Sequence, residues 1–359
     1  MNKPLKDLVI VELASVLAGP AVGLFFAELG ARVIKIENPT TGGDVTRQWK
    51  HPLEPQENSH SAYYYSINWG KETVFLNAKE SEDYQTICDY ISKADIVISN
   101  FRSTSAKKLK LDYTSLKAQF PDLIYGSITA YGLDSDKPGF DALLQAETGW
   151  MHLNGSADGP PTKMPVALID VLAAHQLKEG LLIALIHKMK TKKGSHVTIS
   201  LFDAAVSALT NQASNHLNLG INPMRKGSQH PNIAPYGDII TTQDGVSFLL
   251  AVGNDKQFAD LCQLLNLSEL TTEADFASNT SRVVNRDALV RKLQAKSTLL
   301  SSQQFSEACE RHSVPVGRIR DLASLFKNSL SQSMILSAKE ADGSTSHRVS
   351  TAAFRITTA

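Results

Sequence analysis

Cysteine is scarce in this chain: Cys88, Cys262 and Cys309 are the three among 359 residues. They are far apart and odd in number, which excludes a disulfide framework and points to a reducing, cytoplasmic setting. They also have no zinc-ligand spacing, and no metal site is expected. Charge of one sign is not in excess, since Lys plus Arg number 36 and Asp plus Glu number 36. Nucleic acid and anionic membrane surfaces therefore find no net field to attract them, and any anionic ligand must be met by local charge. Long apolar runs are missing too. The first, Leu8 to Val11, stops at Glu12, and none approaches the roughly 18 residues of a membrane span. A dinucleotide fingerprint is also absent. The turn Val16-Leu17-Ala18-Gly19-Pro20 lacks G-x-G-x-x-G, which argues against a nicotinamide or flavin, and Gly19-Pro20 reads as a helix start with Pro at its first position.

What remains is an ordinary globular composition, 42% hydrophobic and 20% charged, long enough for about two domains of typical size. Short β-rich runs alternate with helix-period segments over the first hundred residues, the pattern of parallel strands with crossover helices. Strands are expected at Asp7–Leu13, Arg32–Ile36, Asp95–Ser99, Leu123–Ile128 and His196–Ser200, and helices at Pro20–Leu29, Glu80–Ser92, Ser115–Gln119 and Val171–Lys190. The fold class is α/β: a Rossmann-like open parallel sheet followed by a smaller mixed α/β domain. Residues 1–212 form the large domain, 213–235 a linker and mobile loop rich in Asn, Gly, Pro and Ser, 236–325 the small domain, and 326–359 a segment returning to the large one. A hairpin turning at Gln243-Asp244-Gly245 is expected within Asp238–Val252.

Two constellations carry chemistry. Asn100-Phe101-Arg102 follows the strand Asp95–Ser99, and ligands of open α/β sheets bind at the carboxyl ends of strands; Lys107, Lys108 and Lys110 follow closely. Asp170 ends an apolar run and begins the long helix, so it reads either as an N-cap or as a carboxylate held ionised by the helix start and available as a nucleophile. Trp49 and Tyr63-Tyr64-Tyr65 read as core packing or an apolar pocket wall.

Taken in order, the segments VLAGP (16–20), LGARVIKIE (29–37), GGDVTR (42–47), NWGK (68–71), ADIVISNFR (94–102), PGFDALLQAETG (138–149), LID (168–170), GSHVTISLFDAA (194–205) and HPNIAPYG (230–237) resemble the class III CoA-transferases across nearly the whole chain. The resemblance implies a Rossmann-like domain and a smaller domain in an interlocked homodimer, with acyl-CoA and a carboxylic acid as substrates and no permanently bound cofactor. It implies that Asp170 is the nucleophile. It further implies CoA contacts from Leu17, Ala18, Asn68, Lys71, Asn100, Phe101, Arg102, Lys108, Tyr131 and Gly132, and an active-site loop at Gly227, Ser228 and Gln229. The chain departs from the family where Ala174 replaces a common glycine and Asn38 an arginine found in some members. A related racemase chemistry needs a second proton-transfer group, and the segment Gly139-Phe140-Asp141 offers phenylalanine at that place. The other alternative is an acyl-CoA-binding protein without catalysis, which predicts no adduct on Asp170.

Overall fold

The computed structural model describes residues 3–58, 60–340 and 343–357, so the outermost residues of the 1–212 and 326–359 expectations lie outside the described residues. The chain divides into two compact units. Met1–Trp150, Lys163–Ile221 and Leu330–Ala359 make the first; Met151–Thr162 and Asn222–Ser329 make the second.

In the first unit β1 (Val9–Leu13), β2 (Arg32–Glu37), β3 (Glu72–Phe75), β4 (Ile96–Ser99), β5 (Ile124–Thr129) and β6 (Ser195–Ser200) form one parallel sheet in the order β3-β2-β1-β4-β5-β6. Helices cover both faces, which is why Ile10, Val11, Ile96, Val97 and Ile98 are apolar without alternation and wholly buried. The chain runs β1, β2, β3 outward, then returns to place β4 against the other side of β1 (Ile10 beside Ile96). That reversal opens a crevice beyond the carboxyl ends of β1 and β4.

The first crossover helix, Ala18–Glu28, begins two residues before the expected Pro20, so Pro20 is its third residue rather than its first. The ring is still tolerated, because first-turn amides have no partner within the helix. Gly30 adopts φ +100° just beyond the helix end, the backbone reversal expected of it. Beneath the start of this helix, the register pair Glu12 and Lys35 forms a salt bridge of 3.0 Å; Asp44 lies 3.0 Å from the same Lys35 ammonium, and Lys71 lies 2.8 Å from Glu12. All four side chains are fully buried.

The long helix spans Leu168–Thr191, and residues 213–219, expected as linker, belong to the helix Thr210–Leu219. Its polar composition, Asn, Gln, Ser and His, hid a helix with no fully buried face. After it, β10 (Ile335–Lys339) and β11 (Thr345–Val349) pair antiparallel, a hairpin numbered after the three strands of the second unit, β7 (Tyr236–Thr241), β8 (Ser247–Ala251) and β9 (Val316–Arg318). The C-terminal stretch is fixed to the first helix through Glu28, which accepts from Arg348, from the Ser350 hydroxyl (3.0 Å) and from the Thr351 (3.0 Å) and Ala352 (2.8 Å) amides. Phe354 meets Phe25.

The second unit is an antiparallel sheet, β7-β8-β9, backed by helices around Phe248, Phe258, Phe305 and Leu261. The hairpin between β7 and β8 turns as expected through Asp244 and Gly245, the latter at φ +77°. Residues 151–162 are tied to this unit where Arg225 donates to the carbonyls of His152 and Gly159, and the Gly227 amide to the carbonyl of Gly155. Nothing in the residues 151–162 themselves signals that excursion.

Glu28 satisfies several donors at once, so Glu28→Ala leaves a buried guanidinium without its carboxylate and two amides without an acceptor. The variant should lose on the order of 3 kcal/mol of stability and become sensitive to limited proteolysis between residues 330 and 357, read by thermal melting and peptide mapping.

Candidate active site

Beyond the ends of β1 and β4 lies a cleft of about 230 Å³ in the first unit. Leu17 and Ala18 come to it from the turn after β1, Asn100, Phe101 and Arg102 from the turn after β4, and Asp170 from the start of the long helix. Six residues singled out from the sequence, spread over some 150 positions, thus share one lining. A second cavity of about 260 Å³ shares Ser15 and Phe101 with the first. It is walled by Glu37 and Asn38 at the end of β2 and by Leu76, Asn77, Ala78 and Lys79 after β3.

Asp170 is not the N-cap of its helix. The helix begins at Leu168 with Ala167 as N-cap and no side-chain cap, which puts Asp170 at the third helical position. The capping role falls to Asp141, 29 residues earlier, whose Oδ2 accepts the Ile169 amide at 2.7 Å while its Oδ1 accepts from Gln145 Nε2 at 2.7 Å. Nor does the helix start hold Asp170 acidic. Burial, and after it the like charge of Asp141, pushes its carboxyl up to about 7. The group is 9% exposed and faces the cleft, so it is a poorly solvated carboxyl in a ligand-sized space. Tyr63 senses the same field: burial, then Asp170 and Asp141, raise its phenol to about 12. No local pattern in the sequence ties residue 63 to residue 170, so this proximity is not legible there.

Other expected residues lie elsewhere. Lys71 is fully buried, with its ammonium on Glu12, the Pro20 carbonyl (2.9 Å) and Asn68 Oδ1 (3.0 Å), and burial against the pull of Glu12 lowers it to about 8. Asn68 is buried beside it and donates to the Tyr64 carbonyl. Neither lines the two cavities, and the Lys71 ammonium is committed to the charge cluster. The residues that do line a cavity on that side are Leu76–Lys79; their signal was their place at the carboxyl end of β3, the same rule that found Asn100. Lys108 ends the short helix Ser103–Lys108 and is exposed, outside both linings. Tyr131 hydrogen-bonds Glu147 at 2.7 Å, and Gly132, at φ +102°, donates to Thr129 Oγ1. Asn100 spends its amide on Ser15, accepting its N–H at 3.2 Å and donating to its carbonyl at 2.8 Å.

Gly227, Ser228 and Gln229 belong to the second unit. Gly227 has φ +60°, and Ser228 Oγ donates to the Gly237 carbonyl. Among the described residues no three His, Cys, Asp or Glu side chains converge as a metal site, and no helix is long and apolar enough to cross a membrane.

A carboxyl with a folded pKa near 7 and an ordinary value of 3.8 favours the unfolded state above pH 7, part of that penalty between the two values, and none below the lower one. Asp170→Asn should therefore melt at a higher temperature than the parent at pH 8, by about 2–4 kcal/mol in stability, and the advantage should vanish near pH 4. A lower melting temperature at pH 8 would mean the carboxylate is solvated after all.

The description CoA-transferase family III matches residues 5–359. A succinate–glutarate CoA-transferase of Agrobacterium fabrum is 37% identical over 329 residues, 90% of this chain and 82% of that protein. An acetyl-CoA:oxalate CoA-transferase of Acetobacter aceti is 33% identical over 324 residues, 89% of this chain and 82% of its own length. Among solved structures, a CaiB/BaiF family protein from Brucella suis superposes with a TM-score of 0.84 at 36% identity, over 99% of this chain and 93% of that one. The parallel sheet with its crevice at the β1–β4 reversal and these matches along the whole chain lead to one conclusion: the chain belongs to CoA-transferase family III and is a CoA-transferase.

Proposed function

We propose that this enzyme moves CoA between an acyl-CoA and a short dicarboxylic acid through covalent intermediates on Asp170. The observation that carries the mechanism is the carboxyl of Asp170, buried yet facing the cleft, with its pKa raised to about 7. As a carboxylate it attacks the thioester carbonyl and expels CoA thiolate, leaving a mixed anhydride. The thiolate attacks the aspartyl carbonyl, releasing the donor acid and forming an enzyme thioester. The incoming carboxylate attacks that thioester, and the thiolate then takes the acyl group and frees Asp170. One thioester is exchanged for another, so the overall reaction is near thermoneutral. A desolvated carboxylate is the better nucleophile, and the amides of Leu17 and Ala18 at the helix start, both in the cleft lining, are assigned as donors for a developing oxyanion.

The dicarboxylate follows from the acids in the relatives' names, glutarate and oxalate, and from the cations at the cleft, Arg102 and Lys137. CoA contacts are assigned to Leu17, Ala18, Phe101 and Arg102, with Asn77 and Lys79 in the second cavity; Asn100 acts on Ser15. Lys108, Tyr131, Gly132 and the loop Gly227–Gln229 keep their expected roles only through the resemblance to the family. A homodimer in the cytoplasm completes the proposal, the second part supported by three free, buried cysteines. Phe140 lines the cleft where proton-transfer chemistry at carbon would need a titratable group.

Incubation with an acyl-CoA donor should leave an adduct on the peptide carrying Asp170, trapped by hydroxylamine. Asp170→Asn should abolish transfer, by at least about a thousandfold, while retaining CoA binding. Transfer by that variant would sink the mechanism; α-proton exchange without transfer would indicate a racemase. In the parent, kcat/KM should rise with pH through an inflection near 7, as the free carboxyl loses its proton. Lys79→Glu should weaken CoA binding more than Lys108→Glu, with a difference that shrinks as salt rises. Light scattering should return twice the chain mass.

A further inference from the structure

Val16 stands at φ +72°, in the left-handed region that β-branched residues avoid. It sits at the point where β1 ends and the cleft begins, and its neighbours Ser15, Leu17 and Ala18 all line the cleft of Asp170. Nothing in a valine favours this conformation, so contacts outside the turn must hold it. Two do. The Asn100 amide clamps Ser15 from both sides, and the Asp44 carboxylate accepts the Val16 N–H, at 3.3 Å and 3.2 Å to its two oxygens.

Asp44 is itself fixed. Its Oδ1 accepts from the Thr46 amide (3.0 Å) and hydroxyl (2.8 Å), its Oδ2 lies 3.0 Å from Lys35 Nζ, and its own amide donates to Glu37. Its side chain is fully inaccessible and so touches no ligand in the cleft directly. Directly after Val16 come Leu17, the N-cap of its helix, then Ala18 and Gly19. Among the described residues their N–H groups meet no acceptor, as is general for a first helical turn. Were Val16 to relax to an extended φ, the rotation would redirect the Leu17 and Ala18 amides that follow it at the cleft.

We propose that Asp44 is a positioning residue of the transfer reaction: it holds Val16 in its strained conformation and thereby aims the Leu17 and Ala18 amides at the reacting carbonyl. The inference rests on the assignment of this cleft to CoA transfer. A residue that merely glued the 45–48 turn would show no dependence on what stands at position 16.

The test is a double-mutant cycle on the full chain. In the parent background Asp44→Ala should lower kcat by at least about tenfold. In the Val16→Gly background, where φ +72° needs no holder, the same change should lower kcat less than about threefold. Equal losses in both backgrounds, or no loss in the parent background, would overturn the proposal. Where Asp44→Ala fails to melt cooperatively, Asp44→Asn replaces it; the amide is a weaker acceptor and has no charge for Lys35, and the loss should again be confined to the parent background. A crystal structure of the Asp44 variant gives a readout free of activity: Val16 should have left the positive-φ region, and φ still near +72° would overturn the proposal. An inactive parent enzyme without an Asp170 adduct would instead remove the functional reading, and the φ of Val16 would still decide the role of Asp44.

Discussion

Four charges buried beneath the start of the first helix hold this site together. Glu12, Lys35, Asp44 and Lys71 are two acids and two bases with no exposed side-chain surface, each ion-paired with another of the four. Removing one member would leave an uncompensated charge in a low-dielectric interior, which costs about 3–5 kcal/mol, so the set behaves as a unit. Burial pulls the pKa of Lys35 down, but Glu12 and Asp44 outweigh it and raise it; for Lys71, burial outweighs the pull of Glu12 and the pKa is lowered. Space for the cluster comes from Gly23, where a Cβ would lie 1.9 Å from Glu12 Oε2. Through Lys35 and Asp44 the cluster reaches Val16, and through the Pro20 carbonyl it reaches the helix start.

Asp170 shows which of two opposing effects wins. A helix N-terminus favours a carboxylate by some 0.3–1 kcal/mol, up to about 2 in partly buried geometry. The carboxyl is nevertheless raised from 3.8 to about 7, on the order of 4 kcal/mol the other way. Desolvation wins because the side chain is nine-tenths buried, and the like charge of Asp141, which caps the helix in its place, adds to it. The cap and the cleft-facing carboxyl are thus separate side chains, and among the described residues both oxygens of Asp170 are without a hydrogen-bond partner.

The sheet was legible in the residues. Strand runs such as Val9–Leu13 and Ile96–Ser99 are apolar because they are covered on both faces, and the alternation with helices sets a parallel sheet and a crevice at its carboxyl ends. Leu17, Ala18, Asn100, Phe101, Arg102 and Asp170 were legible as well, from the end-of-strand rule and from the family resemblance.

What tertiary structure decided is direction and company. Lys71, directly before β3, is expected from the family resemblance to meet CoA, yet a buried Glu12, 59 positions away, claims its ammonium. Asp170 reads as a cap, yet Asp141 takes that bond from another helix. Residues 151–162 join the second unit through Arg225, some 70 positions later, and Val16 keeps an unfavourable φ because Asp44 accepts its amide. In each case the local sequence specifies a backbone path and a side-chain chemistry. Which partner meets that side chain, and whether water reaches it, depends on long-range packing, because desolvation and hydrogen-bond geometry are properties of the folded surroundings rather than of the residue.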